Sequence, residues 1–180
     1  KKEDMKLGYR SSIFNHGEDA GRYLIISMTI HLSHDTLTPP FYTSLQNYVE
    51  EHQITDFSPK SIREMVTEIR WSKLPKPEEM ASSGSFFKNV YLDDAEADRL
   101  RGMNVPVWEG NKVPSGWLID HAGLKGMVFH GMRVSEKAAL ILINESAQSY
   151  AHLKQAREEI VSIIEKKYGL TLQQEPVELE

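Results

Sequence analysis

Apolar and polar residues alternate between Arg22 and Ser33. Side chains at every second position lie on the same face of an extended chain. The alternation therefore predicts a strand over residues 22–33. The apolar residues on one of its faces are Leu24, Ile26, Met28, Ile30 and Leu32. Pro39 and Pro40 follow and predict a rigid turn after this strand.

Two helices are predicted after the turn, because apolar residues recur there at spacings of three and four. The first is short and begins near Thr43. The second has a stronger start signal, since Ser58 is a good capping residue and Pro59 is favoured at the first helical position. The apolar face of the second helix carries Ile62, Met65, Val66 and Ile69. Residues 71–84 contain two prolines and a glycine, which predict a loop.

The second half of the chain mixes helices and strands in no regular order. The predicted elements are helices over 93–101, 115–121 and 150–167, and strands over 127–134, 138–144 and from Thr171 onward. Gly169 is expected to end the long helix. The strand over 138–144 is apolar on both faces, which predicts a central place in its sheet. Without a repeated strand–helix–strand unit, the pattern favours an α+β fold, a mixed sheet with helices packed on it.

Composition narrows the function classes. The chain has 180 residues, a net charge of −5 and no cysteine. The missing cysteines exclude disulfides, zinc–thiolate sites and a cysteine nucleophile, and they make a cytoplasmic location the default expectation. The net negative charge lacks the excess of basic residues that is typical of nucleic-acid-binding proteins. No apolar run is long enough to predict a membrane helix. The seven histidines lack metal-ligand spacing, so no metal site is expected.

The most unusual segment is Gly84-Ser85-Phe86-Phe87-Lys88-Asn89. A glycine before a serine lets the backbone approach a ligand closely and leaves the hydroxyl accessible. Lys88 and Asn89 add a cation and an amide suited to phosphate or carboxylate groups. The same letters also fit the start of a strand with two buried phenylalanines, so spacing alone leaves both interpretations open.

Other segments have structural explanations of the same kind. Arg70, Lys73 and Lys76 lie near a predicted helix end, where cations complement the helix dipole. Residues 8–12 are polar and fit a plain loop, and residues 116–126 fit a packed helix with its C-terminal cap. Glu175 lies in the last predicted strand, where an ordinary surface carboxylate is expected.

Taken in order, several segments resemble the UDP-N-acetylenolpyruvoylglucosamine reductase family. The resemblance covers nearly the whole chain, and its most specific motif is the string from Gly84 to Asn89. The segments are Gly8-Tyr9-Arg10-Ser11-Ser12-Ile13-Phe14, Lys73-Leu74-Pro75, Gly84-Ser85-Phe86-Phe87-Lys88-Asn89, Gly116-Trp117-Leu118-Ile119-Asp120, Leu124-Lys125-Gly126 and Ile143-Asn144.

The resemblance implies an FAD-dependent and NADPH-dependent oxidoreductase of peptidoglycan precursor synthesis. Its substrate would be UDP-N-acetylglucosamine enolpyruvate and its product UDP-N-acetylmuramate. Reduction of the enolpyruvyl double bond places charge next to a carboxylate, and a proton must then reach carbon. By resemblance, Ser85 is the proton donor, Arg10 faces the carboxylate or enolate, and Glu175 is the third catalytic residue. The resemblance also implies substrate-binding roles for Tyr42, Lys73, Asn89 and Lys112.

The same resemblance implies a domain organisation. Residues 1–56 would be the C-terminal tail of the FAD-binding domain, and residues 57–180 the UDP-sugar-binding domain. The N-terminal FAD-binding region is expected to be missing, so that this chain alone would neither retain FAD nor turn over substrate. The alternative is a non-catalytic UDP-sugar-binding module, and a weaker one is an interaction domain without ligand.

Overall fold

The chain folds into two compact units, Lys1–Thr36 and Leu37–Glu180, in a computed structural model that describes residues 3–76 and 78–178. The first unit begins with a short 3₁₀ helix at Glu3–Met5. A tight turn follows, in which the amide of Gly8 donates to the carbonyl of Ser11 at 2.8 Å.

The predicted strand over residues 22–33 is wrong for this structure. Residues 23–38 have no regular secondary structure, and Leu24 and Ile26 are 87% and 88% exposed. A strand needs a neighbour to accept and donate its backbone hydrogen bonds. Among the residues that the structure describes, no strand pairs with this segment. The residues alternate as a strand would require, but the apolar side chains remain exposed to solvent.

The second unit contains five helices among its described residues, at the places that the sequence predicts. They are α1 (Thr43–Glu51), α2 (Pro59–Lys73), α3 (Asp94–Gly102), α4 (Ser115–His121) and α5 (Tyr150–Tyr168). The Ser58 hydroxyl caps α2 by accepting from the amide of Ser61, which confirms the predicted start. Asp93 caps α3 in the same way, and Gly169 ends α5 at a φ of 69°.

Among the described residues, the strands form one four-stranded and one two-stranded antiparallel sheet. They are β1 (Ala81–Ser85), β2 (Val90–Tyr91), β3 (Lys112–Val113), β4 (Val128–Phe129), β5 (Met132–Val134) and β6 (Ile141–Asn144). The larger sheet has the order β1-β6-β5-β4, and β2 pairs with β3. The predicted central strand is confirmed as β6, whose first three residues are buried on both faces. Helices and antiparallel strands together confirm the α+β class.

Two sequence-based boundaries were wrong. Residues 71–84 are not all loop, because α2 continues to Lys73 and β1 begins at Ala81. The small polar residues of β1 have low strand propensity, so only pairing with β6 makes them a strand. The predicted strand over 127–134 is a hairpin, since His130 and Gly131 both have positive φ and form the turn between β4 and β5.

The main core lies between the larger sheet and helices α3, α4 and α5. The buried side chains at its centre are Leu100, Val113, Leu118, Ile119, Val134, Leu142, Ile160 and Ile164. A smaller cluster joins α1 to α2 through Leu45, Val49 and Met65. This cluster spans the domain boundary expected between residues 56 and 57, and that boundary stays a prediction.

After α5 the chain returns along the main core. Leu170 and Leu172 are buried there. The strand predicted from Thr171 onward is reduced to a single antiparallel bridge between Gln174 and Phe87. This bridge brings the end of the described chain beside the Gly84–Asn89 segment.

Candidate functional site

Ser85 lies at the end of β1, directly after a β-bulge. Ala81 and Ser82 pair with Asn144 and Ile143, but Ser85 pairs with Ile141, so β1 holds one more residue than β6. Gly84 supplies the conformation that this bulge requires, with a φ of 76°. No atom lies within 4 Å of the position that a Cβ at Gly84 would occupy. The backbone before Ser85 is thus open to a ligand, and the Ser85 residue is exposed.

The two phenylalanines after Ser85 are core residues. Phe86 is 3% exposed, Phe87 is 1% exposed, and their ring centroids lie 5.1 Å apart. The structural interpretation of this motif is therefore correct for the phenylalanines. It does not exclude the functional interpretation of Ser85, because the bulge presents the serine to solvent while the aromatic pair anchors the segment that follows.

Glu175 lies beside this segment through backbone hydrogen bonds. The amide of Glu175 donates to the carbonyl of Phe86 at 2.8 Å, and the amide of Lys88 donates to the carbonyl of Gln173 at 2.8 Å. Since Phe86 follows Ser85 directly, the structure brings the backbones of these two candidate catalytic residues close together. Glu175 is half-buried.

A cavity of about 300 Å³ opens at Ser85, and we call it the serine cavity. Its charged lining residues are Asp120, Lys125 and Lys137. Lys125 and Asp120 form an ion pair of 3.1 Å. Two lysines against one carboxylate give the lining a net charge of +1, which favours an anionic ligand. The other lining residues are Leu74, Gly116, Trp117, Ala138, Ala139, Leu140 and Ile141.

Asn89 connects the Gly84–Asn89 segment to α4. Its side-chain oxygen accepts from the amide of Ser115 at 3.1 Å, and the Ser115 hydroxyl donates to the carbonyl of Lys88 at 2.6 Å. Ser115 is fully buried. These bonds fix residues 88 and 89 against the first turn of α4, so Asn89 has a structural role whatever it binds.

Three other candidate binding residues lie on different elements of the second unit. Tyr42 precedes α1 and is 78% exposed. Lys73 is the last residue of α2, next to Leu74, which lines the serine cavity. Lys112 lies in β3, and its ammonium group stands 4.9 Å from the centre of the Trp108 ring. Neither Tyr42 nor Lys112 belongs to the described lining of that cavity.

Arg10 belongs to the first unit, whereas Ser85 and Glu175 belong to the second. Arg10 is exposed and has a φ of 51°. Its carbonyl accepts from the side chain of Asn15 at 3.1 Å, and its guanidinium lies 5.5 Å from the centre of the Tyr9 ring. The turn therefore fixes the backbone of Arg10 and leaves its side chain at the surface.

Lys125 and Lys137 were not predicted from the sequence to belong to the site. Lys125 stands in a motif that the resemblance already used, Leu124-Lys125-Gly126, which was a usable signal. The sequence held no such signal for Lys137. This residue precedes β6, and the pairing of β6 with β1 brings it to the serine cavity.

The described residues do not fit a dinucleotide cofactor. A pyrophosphate is usually held by a glycine-rich loop that leads into a helix N-terminus. None of α1 to α5 begins in that way. Over residues 3–76 and 78–178, no group of three or more histidine and acidic side chains is placed to hold a metal ion. Within the same residues, no helix is both long and apolar enough to cross a membrane.

Comparison with known proteins places this sequence in one family. Residues 76–179 match the family described as UDP-N-acetylenolpyruvoylglucosamine reductase, C-terminal domain. Curated relatives with that reductase name include proteins from Chromobacterium violaceum (30% identical), Pseudomonas aeruginosa (30%) and Vibrio vulnificus (33%). The alignments cover 97%, 97% and 96% of this chain but 52%, 53% and 50% of the relatives. The chain therefore spans about half the length of the relatives it matches.

Proposed function

Since the chain belongs to the UDP-N-acetylenolpyruvoylglucosamine reductase family, we propose that it supplies the UDP-sugar-binding and proton-donating half of such a reductase. The reaction is the reduction of UDP-N-acetylglucosamine enolpyruvate to UDP-N-acetylmuramate, a step of peptidoglycan precursor synthesis. The observation that carries the proposal is the exposed Ser85, placed by a bulge at a cavity lined by two lysines, with Glu175 beside it.

Ser85 is the proton donor in this proposal. Addition of a hydride to the terminal carbon of the enolpyruvyl double bond would leave an enolate, in which negative charge is shared with the carboxylate. Lys125 and Lys137 line the same cavity as Ser85, so their positive charges would stabilise the negative charge of the enolate. A serine hydroxyl is a weak acid, and this positive surrounding favours loss of its proton.

Glu175 and Arg10 complete the proposed catalytic set. Glu175 stays next to Ser85 through the backbone bonds described above and can support proton transfer to the substrate carbon. Arg10 offers a planar guanidinium suited to a carboxylate. Its role rests on the resemblance of residues 8–14, because Arg10 lies in the other unit.

Substrate binding is proposed for Tyr42, Lys73, Asn89 and Lys112. Lys73 is the best placed of these, because it is exposed and adjoins a residue of the serine cavity. A lysine ammonium group is a point charge that suits a diphosphate. The ring of Tyr42 is mostly exposed, which would allow it to close over a bound nucleotide.

FAD and NADPH are the cofactors that the family resemblance implies. Together they would supply the hydride that the reduction consumes. Because the described residues offer no pyrophosphate cradle, we assign the FAD-binding residues to the part of the relatives that this chain does not cover. Residues 1–56 are proposed to complete that domain. The cytoplasmic location expected from the sequence stays a prediction.

The alternative function is a non-catalytic UDP-sugar-binding module, which differs from a reductase in the ligand groups that it must recognise. A reductase must bind the enolpyruvyl carboxylate, whereas a module needs only the UDP-sugar. Calorimetric titration of this chain with UDP-N-acetylglucosamine enolpyruvate and with UDP-N-acetylglucosamine separates the two. Tighter binding of the enolpyruvyl compound supports the reductase, and equal affinities would favour the module.

A further inference from the structure

Arg157 joins the long helix α5 to the segment that carries Glu175. The side chain of Arg157 is only 18% exposed. Its guanidinium nitrogen Nη1 contacts the side-chain oxygen of Gln174 and the carboxylate of Glu178. These two partners stand on either side of Glu175 in the chain.

The contacts of Arg157 form part of a closed network. The side-chain nitrogen Nε2 of Gln174 donates to the carbonyl of Pro176 and to the carboxylate of Glu178, each at 2.9 Å. Hydrogen bonds from Tyr150 and from Arg157 lower the pKa of Glu178, so this carboxylate stays charged at neutral pH. We call the side chains of Tyr150, Arg157, Gln174 and Glu178 the C-terminal clamp.

The C-terminal clamp acts on residues 174–178, which follow the buried Leu172 and are themselves partly or fully exposed. Residues 171–178 form no strand, and the bridge at Gln174 with its two flanking hydrogen bonds joins them to the Gly84–Asn89 segment. A single bridge is weak by itself, because isolated strand pairs are marginally stable in water. A charge-assisted contact is stronger than a neutral hydrogen bond.

We infer that Arg157 is a positioning residue, which holds residues 174–178 on α5 and so keeps Glu175 next to Ser85. Arg157 itself lines no part of the serine cavity. The inference rests on the proposed function, since it concerns the same site, but the position of Glu175 can be measured without any catalysis.

The first test measures amide hydrogen exchange in this chain. Losing a charge-assisted contact costs roughly 1.5–3 kcal/mol, which corresponds to about tenfold to a hundredfold in an opening equilibrium. We expect Arg157→Ala to speed exchange at the amide of Glu175 by that factor. The amide of Val134, which donates to Met127 in the sheet, should keep its rate. Arg157→Lys should restore part of the protection. Lys154→Ala, one turn away on α5, is the control and should change neither amide.

Two results would overturn the positioning role. One is an unchanged exchange rate at Glu175 in Arg157→Ala. The other is an equal increase at Glu175 and Val134, which would show a general loss of stability.

The second test uses a protein in which the proposed FAD-binding region precedes this chain, with FAD bound, and we call it the longer protein. Arg157→Ala should lower kcat for the enolpyruvyl substrate, with little change in KM, and Arg157→Lys should recover part of the loss. If exchange at Glu175 rises but kcat is unchanged, the clamp exists and the proposed catalytic role of Glu175 is wrong. If substrate is not reduced even by the unaltered protein, the proposed function fails while the exchange result still decides the clamp.

Discussion

Glu175 is hydrogen-bonded through its backbone amide to Phe86, the residue that directly follows Ser85, at a distance of 2.8 Å. The two segments are distant in the sequence and meet only because α5 returns the chain to the end of β1. The backbone of Glu175 is thereby held beside the residue that follows Ser85, and Ser85 itself lines the serine cavity. This arrangement is the structural basis of the proposed proton-donating site.

The bulge at Gly84 should be required for ligand binding. Because Gly84 has positive φ in open space, Gly84→Ala adds no clash but costs about 1–2 kcal/mol of backbone strain. We expect the bulge to shift and the affinity for UDP-N-acetylglucosamine enolpyruvate to fall several-fold in calorimetry. Gly110→Ala is the matched control, since Gly110 also has positive φ in open space. Both variants should lose stability, and equal loss of affinity in both would contradict a role for the bulge.

The charge of the serine cavity should control the affinity for an anionic ligand. Lys125→Met removes one of its two cations, whereas Asp120→Asn removes its carboxylate. Lys125→Met should weaken binding of the enolpyruvyl substrate, and Asp120→Asn should leave it unchanged or strengthen it. The difference between the variants should shrink at high salt, because these groups are partly exposed and screened. Calorimetric titration at two salt concentrations measures this difference in affinity. An equal change of affinity in both variants would show that the charge of these residues does not affect binding.

Lys73 should contribute to binding through its charge near the diphosphate. Losing such a contact costs roughly 1.5–3 kcal/mol, so Lys73→Ala should weaken binding at least tenfold. Lys60→Ala at the opposite end of α2 is the control and should have no effect, because about 20 Å of helix separates the two lysines. Equal affinities of the two variants in calorimetry would mean that Lys73 only complements the dipole of α2.

The segment over residues 23–32 should become a strand when a neighbour is present. Its alternating apolar side chains are exposed here, and an isolated strand has no partner for its backbone. We expect the amides of residues 24–32 to exchange rapidly in this chain and slowly in the longer protein. Hydrogen exchange followed by mass spectrometry compares the two. Rapid exchange in both would contradict the assignment of residues 1–56 to a flavin-binding domain.

Local signals were sufficient for the helices of this fold. The caps at Ser58 and Asp93 and the stop at Gly169 act within one turn of the chain, so the sequence alone indicates them. The strand over 22–33 was predicted from an equally clear pattern but is absent, because a strand also depends on a partner that the pattern does not contain. The same dependence explains β1, whose small polar residues become a strand only beside β6.

The candidate site divides in a similar way. Ser85 and Asn89 could be selected from their unusual motif and from the resemblance. The bulge, the place of Lys137 in the lining of the serine cavity, and the clamp around Arg157 could not be predicted. Each of them arises from contacts between segments that are far apart in the sequence, such as α5 with residues 174–178.

The central claim is that Ser85 donates a proton to the substrate, and stopped-flow absorbance of the two half-reactions tests it most directly. The measurement uses the longer protein with FAD bound, in the unaltered form, as Ser85→Ala and as the control Ser83→Ala. We predict that all three are reduced by NADPH at nearly the same rate. Reoxidation by UDP-N-acetylglucosamine enolpyruvate should be lost in Ser85→Ala alone, because only that step requires the proton. Reoxidation of Ser85→Ala at the normal rate would contradict the account.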